Sequence, residues 1–146
     1  MSKVNKYEKF GSRNFSPSGI SSTDGEAEGD IMYYGSTSVV IGRVYVWTGD
    51  WVAADADLAL HGSNILAFAL GTGAANSVGM LLRGMVYLGN ANGNSGSPLY
   101  LSTSAGLLSS SAPTAVGDVV RIVGYNIAST KIWFNPDNTS IILADA

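Results

Sequence analysis

The sequence predicts an all-β fold, a single antiparallel β-sandwich or β-barrel domain with an extended N-terminal arm. In the second half of the chain, short apolar segments alternate with clusters of Gly, Ser, Asn and Pro. Strands spaced by roughly 8–12 residues, with turn residues between them, are typical of sandwiches and barrels. The strands predicted in this half cover residues 79–88, 97–102, 117–127, 131–137 and 140–143.

The first half of the chain predicts further strands and one short helix. Thr48-Gly49-Asp50 is a tight-turn pattern, which predicts a hairpin between Val44–Trp47 and Trp51–Ala53. Apolar residues occupy both faces of the first hairpin strand, so we expect both faces to be covered. The stretch 53–61 has the composition of a helix of one or two turns. Further strands are predicted at residues 31–34, 38–41 and 64–70.

The composition of the chain excludes several kinds of site and segment. The chain has 146 residues, about the length of one domain, with no cysteine, which excludes disulfides and thiol chemistry. Only 13% of the residues are charged against 46% hydrophobic, so few charges would have to be desolvated where subunits pack together. No apolar run is long enough to span a membrane, and the N-terminus lacks the pattern of a secretory signal.

Residues 1–30 are predicted to form the arm, and residues 31–146 the all-β domain. Residues 1–13 carry four cations and one acid, whereas the rest of the chain carries four cations and ten acids. The basic segment is interpreted either as a solvated terminus or as an arm that contacts an acidic neighbour. The acidic body makes a nucleic-acid partner unfavourable. Within the arm, residues 25–30 are expected to form a solvated turn. The cations that would make the contact are Lys3, Lys6, Lys9 and Arg13.

The residues that could carry catalysis form no recognisable constellation. His61 is the single histidine, and no Gly-x-Ser-x-Gly motif accompanies it, so we interpret it as a surface or interface residue. Asp50, Asp55 and Asp57 surround Trp51, but their spacing fits no calcium loop, and we interpret them as capping and solvated groups. The stretch 71–76 lacks the third glycine and the following helix of a dinucleotide loop. We therefore expect no catalytic residue, cofactor or metal.

Two features are candidates for recognition. Trp47 and Trp51 flank a turn, so they are interpreted either as core residues or as partly exposed rings that stack on a sugar or form an interface. The stretch 89–96 is rich in Gly, Asn and Ser, which predicts a long exposed hairpin loop. The alternative is a loop that contacts a sugar or protein partner through Asn90, Asn92 and Asn94.

Several segments resemble structural proteins of tailed bacteriophages. The resemblance covers about residues 30–144, and it is carried by structural motifs. One example is Gly117-Asp-Val-Val-Arg-Ile-Val-Gly-Tyr125, and another is Ile132-Trp-Phe-Asn-Pro-Asp-Asn138. Further matching segments are residues 42–51, 53–57, 66–71, 79–84 and 99–102.

The resemblance implies a non-enzymatic virion protein made in the cytoplasm of a bacterial host. Because no fibre shaft precedes the domain, a decoration or cement protein on the capsid exterior is expected first. Its partners would be further copies of the chain, most simply in a trimer, and the major capsid protein. The alternative is a tail-fibre tip or other tail or vertex component that recognises a host surface glycan. Nucleic acid and membrane are not expected partners, and a hydrolase using Asp50, Asp55 or His61 is the third hypothesis.

Overall fold

The protein is all-β, as predicted, in a computed structural model that describes residues 23–91 and 93–144. The longest strands lie in the second half of the chain, where the sequence pattern is clearest. In the part of the chain that the structure describes, two short helical segments accompany them, a 3₁₀ turn at Ala59–Gly62 and the helix α1 at Ala75–Val78. The strands are β1 (Ala27–Met32), β2 (Ser38–Val39), β3 (Val44–Trp47), β4 (Trp51–Ala53), β5 (Leu66–Ala69), β6 (Gly73–Ala74), β7 (Met80–Tyr87), β8 (Pro98–Leu101), β9 (Leu108–Ser109), β10 (Val119–Val120), β11 (Ile122–Ala128), β12 (Lys131–Phe134) and β13 (Ile141–Ile142).

One antiparallel sheet contains nine of these strands, with β7 at its branch point. The strand order is β4-β3-β5-β7-β12-β11-β8-β9, and β1 also pairs with β7. Strand β1 runs along one edge of β7 from Met80 to Val86. Along its other edge, β7 pairs with β5 near its beginning and with β12 toward its end. The sheet therefore divides into two branches that share β7.

The two branches curl toward each other into a half-barrel that encloses the main core. Val44, Phe68 and Phe134 are fully buried in this core, and the two phenyl rings lie 5.7 Å apart. Main-chain hydrogen bonds join the far ends of the branches. The Gly106 amide donates to the Ala54 carbonyl at 2.7 Å, and the Ala56 amide donates to Ser102 at 2.9 Å.

A second apolar cluster covers the outer face of the β3–β4–β5 branch. It includes Tyr45, Trp51 and Met80, together with residues of α1 and of the β2–β6 ribbon. The Tyr45 hydroxyl accepts a hydrogen bond from the Val40 amide at 2.8 Å. This bond connects the segment after β2 to strand β3. The prediction that both faces of β3 are covered is confirmed.

The predicted hairpin is confirmed, with Trp47 paired to Trp51 across it.

Three local predictions are wrong. Residues 53–61 contain only the 3₁₀ turn, because the carbonyls of Ala54 and Ala56 accept hydrogen bonds from the distant Gly106 and Val119 amides instead of from helical amides. Residues 25–30 are not a solvated turn, since β1 begins at Ala27 and pairs with β7. The short helix α1 begins at Ala75, at the end of the stretch 71–76, where no helix was expected.

Residues 1–22, which hold most of the predicted arm, lie outside the described residues. Lys3, Lys6, Lys9 and Arg13 are among them. Within the described ranges, no helix has the length and apolar character needed to cross a membrane.

Candidate functional site

An open cleft beside the β3–β4 hairpin gathers aromatic and polar side chains. It has a volume of about 460 Å³ and is lined by residues from three segments of the chain. We call it the aromatic cleft, and its principal residues are Tyr33, Tyr34, Trp47, Asp50 and Asn76. Tyr33 and Tyr34 follow β1 directly and are 60% and 61% exposed.

Three aromatic rings at the cleft contact one another in a series that runs from the core to the surface. Trp51 lies at its base and is only 1% exposed. The Trp47 ring meets the Trp51 ring edge-on at 5.0 Å, and the Tyr34 ring lies 5.6 Å from Trp47 at an angle of 43°. Trp47 is half-buried, which agrees with the interpretation as a partly exposed ring, whereas Trp51 is a core residue and the alternative of partial exposure is wrong for it. Trp51 is buried because the loop after β1 folds over it.

Hydrogen bonds hold that loop against the hairpin. The Trp51 indole Nε1 donates to the Tyr34 carbonyl at 2.8 Å. Gly35 lies so close to the indole that a Cβ there would come within 2.7 Å of Cδ1. The backbone amide of Asn76 donates to the Gly35 carbonyl at 2.9 Å. The loop is therefore anchored from both sides.

Asp50 links the hairpin turn to the same loop. Its carboxylate accepts hydrogen bonds from the amides of Trp51 (2.8 Å), Ser36 (3.2 Å) and Thr37 (3.3 Å), and from the Ser36 hydroxyl (2.8 Å). These bonds, with that of the Trp51 amide the strongest, hold the pKa of Asp50 far below its ordinary value. Asp50 is therefore a fixed negative charge at the edge of the aromatic cleft.

The asparagine-rich loop is a separate surface. Asn90 and Asn94 are exposed, as predicted, but they do not line the aromatic cleft, and Asn92 lies outside the described residues. The loop joins β7 to β8, which are separated in the sheet by β12 and β11, so the prediction of a hairpin is wrong. The loop is anchored to β11 by two bonds: the Gly96 amide donates to the Asn126 carbonyl at 2.7 Å, and the Asn126 amide donates to Ser97 at 3.0 Å. The Asn126 side chain is fully buried beneath it.

His61 and the neighbouring aspartates have structural contacts. His61 is buried, not on the surface as expected, and its Nδ1 accepts a hydrogen bond from the Asp55 amide at 3.0 Å. Asp57 lies near Asp55 and Asp118. Desolvation raises the pKa of Asp57, and the charges of Asp55 and Asp118 raise it further. Among the described residues, no group of three or more acidic or histidine side chains is arranged to hold a metal ion.

A second surface, which we call the apolar end, consists of Leu58, Leu60, Val116, Ile141 and Ile142. All five side chains are exposed. Strand β13 lies against the 3₁₀ turn, and the Gly117 amide donates to the Leu143 carbonyl at 2.8 Å, which places these residues at one end of the molecule. Within the described residues, β13 pairs with β10 alone, so its other edge presents backbone groups beside the apolar side chains.

Sequence reasoning missed Tyr33, Tyr34 and Asn76 as site residues. Both tyrosines were assigned to a strand, but β1 ends at Met32. The pair itself carried a signal, because adjacent side chains in a strand point to opposite faces, and both aromatics would be buried only if both faces were covered. Asn76 carried no signal of this kind.

Comparison of the chain with protein-family models, curated proteins and solved structures gave no significant match. The resemblance of residues 30–144 to phage structural proteins therefore stays a prediction.

Proposed function

We propose that this chain is a structural protein of a tailed-phage virion, a decoration or cement protein that binds the outer surface of the capsid and stabilises it. It acts by binding, without catalysis. The resemblance of residues 30–144 supports the phage assignment. The low charge content of the chain supports a role in assembly.

The apolar end is the observation that carries the assembly role. Leu60 and Val116 are both 61% exposed, and Ile141 and Ile142 are more than half exposed. Exposed apolar side chains beside a strand edge that has no strand partner among the described residues favour association with another protein surface. We assign this end to contacts between copies of the chain, and the basic segment 1–13 to contacts with the capsid lattice.

The contacts of the polar residues support binding over hydrolysis. His61 uses Nδ1 to accept a main-chain bond, and the Asp50 carboxylate is saturated by four donors from the protein itself. A general base needs a lone pair directed at substrate. These two residues instead stabilise loops.

Copy number per purified virion tests the proposal. A decoration protein should be present in a simple stoichiometric ratio to the major capsid protein, measured by quantitative mass spectrometry. In a companion experiment, a variant lacking residues 1–13 should remain folded by circular dichroism but fail to join the particle. Full occupancy by the truncated chain would contradict the role assigned to the basic segment.

A second candidate function, glycan recognition by a tail-fibre tip or other tail or vertex component, is favoured by the aromatic cleft. Exposed rings beside fixed polar groups are the usual elements of a sugar-binding surface. The same copy-number measurement separates the two functions. A small fixed number of copies per particle would select the fibre or vertex role.

A further inference from the structure

We infer that the aromatic cleft is a binding site for an uncharged hexopyranose, whose apolar ring face stacks on Tyr34 and Trp47 while its hydroxyls meet the polar rim. The inference deepens the second candidate function by naming the ligand class, and it holds wherever on a virion the protein is located.

The rings provide the stacking surface. Tyr34 is 61% exposed although it belongs to an anchored loop, and its ring lies 5.6 Å from Trp47 at 43°. Tyr33, at 60% exposed, adds a third ring to the lining of the cleft. The C–H face of a pyranose is apolar and flat on the scale of one such ring. Exposure of aromatic rings to water is unfavourable in free energy, so covering them with the apolar face of a sugar favours binding.

The rim supplies hydrogen-bonding groups and sets the charge preference. The cleft is lined by Ser36, Gly49 and the exposed side chain of Asn76 in addition to the rings. Asp50 is the one charged residue in this lining, and no cation among the described lining residues balances it. The lone pairs of this carboxylate are already used by four donors of the protein, but its fixed negative charge repels sialic or uronic acids. The ligand is therefore expected to be neutral.

The site is rigid before ligand arrives. The Trp51–Tyr34 bond, the close approach of Gly35 and the four donors to Asp50 hold the loop and the hairpin in one geometry. Preorganisation lowers the entropic cost of binding. The cleft volume of about 460 Å³ also lies in the range of small-molecule sites and suits one or two sugar rings.

The test is a glycan array probed with the full chain, followed by titration of the best neutral methyl glycoside by isothermal calorimetry. We expect neutral hexose-terminated glycans to bind and their sialylated or uronate counterparts to bind less. Tyr34→Ala and Trp47→Ala should each weaken binding by about tenfold, the change expected for loss of one aromatic contact. Tyr125→Ala is the matched control, because Tyr125 is 40% exposed on β11 and lies outside the cleft.

Several results would overturn the inference. These are a flat array for the wild-type chain, preference for acidic glycans, and sugar binding that survives both cleft substitutions. If Trp47→Ala fails to fold, Tyr33→Ala and Tyr34→Ala still decide the question, because both side chains project into solvent. Loss of self-association in Tyr34→Ala, without any sugar binding by the wild type, would identify the cleft as a subunit interface instead.

The test of sugar binding does not depend on where in the virion the protein is located. Glycan binding on the array, together with a stoichiometric copy number per virion, would identify a decoration protein that also binds sugar. A flat array with the same copy number would remove the sugar site and leave the decoration role intact.

Discussion

At the residue scale, Arg121 shows how a single charged side chain organises the end of the sheet. Its guanidinium is buried and donates to the carbonyls of Asp137 (2.8 Å), Asn64 (2.8 Å) and Gly62 (3.3 Å). Desolvation lowers the pKa of Arg121, and the charge of Asp137 partly offsets this effect. The Arg121 guanidinium therefore connects the loop that contains Gly62 and Asn64 with the loop that contains Asp137, which is distant from it in the sequence.

Replacing Arg121 with Met should destabilise the protein by about 2–4 kcal/mol, because three buried or half-buried carbonyls lose their donors. Urea unfolding followed by tryptophan fluorescence measures this loss. Arg43→Met is the matched control, since Arg43 is exposed, and it should change the free energy of unfolding by less than about 0.5 kcal/mol. Equal effects of the two substitutions would rule out the bridging role of Arg121.

Asp50 and Asp57 should give the stability curve two opposite slopes below neutral pH. The raised pKa of Asp57 means that the folded protein takes up this proton before the unfolded chain does, so stability rises as the pH falls through that pKa to the ordinary value of 3.8. The lowered pKa of Asp50 has the opposite sign. Its contribution is complete above the ordinary value of 3.8 and is lost as the pH falls below it.

Urea unfolding from about pH 7 to about pH 2 should resolve both slopes. Asp57→Asn should remove the initial rise, and Asp50→Asn should remove the later fall. If each variant kept the wild-type profile over its own range, the two carboxylates would not be the groups responsible.

At the element scale, β7 is the strand on which the sheet depends. It pairs with β1 along one edge and with β5 and β12 in succession along the other. Gly84 lies opposite Gly29 in the β1–β7 pair, and the two backbones approach so closely that a Cβ on Gly84 would overlap the Glu28 carbonyl. The absence of side chains at both positions allows β1 to dock.

Gly84→Ala should therefore displace β1 and cost about 2–3 kcal/mol. Hydrogen exchange should show faster exchange at the amides of β1, with smaller changes in β11. Gly89→Ala is the control, because the nearest atom to its added Cβ is the Asp24 carboxylate at 3.3 Å and its backbone is not in a glycine-specific conformation. Unaltered protection of β1 in Gly84→Ala would show that the strand tolerates a side chain there.

At the scale of the whole molecule, the aromatic cleft and the apolar end are formed by different segments of the chain. The aromatic cleft lies beside the β3–β4 hairpin, whereas the apolar end is formed by the 3₁₀ turn, β13 and the segment before β10. A protein with two such surfaces can associate through one and leave the other accessible. This arrangement is compatible with an assembled subunit that also binds a ligand.

The apolar end should control self-association. The wild-type chain is expected to form a trimer in solution, measured by sedimentation equilibrium. The double substitution Leu60→Asp and Ile142→Asp should shift it to monomer, because charge at an apolar contact must be desolvated. Val52→Asp is the control, as Val52 is 45% exposed on β4 and lies outside the apolar end. A wild-type monomer, or an oligomer that resists the double substitution, would contradict this assignment.

The sequence by itself determined the all-β class, the hairpin Val44–Trp47 with Trp51–Ala53, and the coverage of both faces of β3. These follow from local alternation and turn residues. Only the tertiary structure decided the burial of Trp51, the exposure of Tyr33 and Tyr34, and the placement of Arg121 among three carbonyls. Each of these depends on segments distant in the sequence that meet through long-range pairing, and local periodicity carries no information about which segments meet.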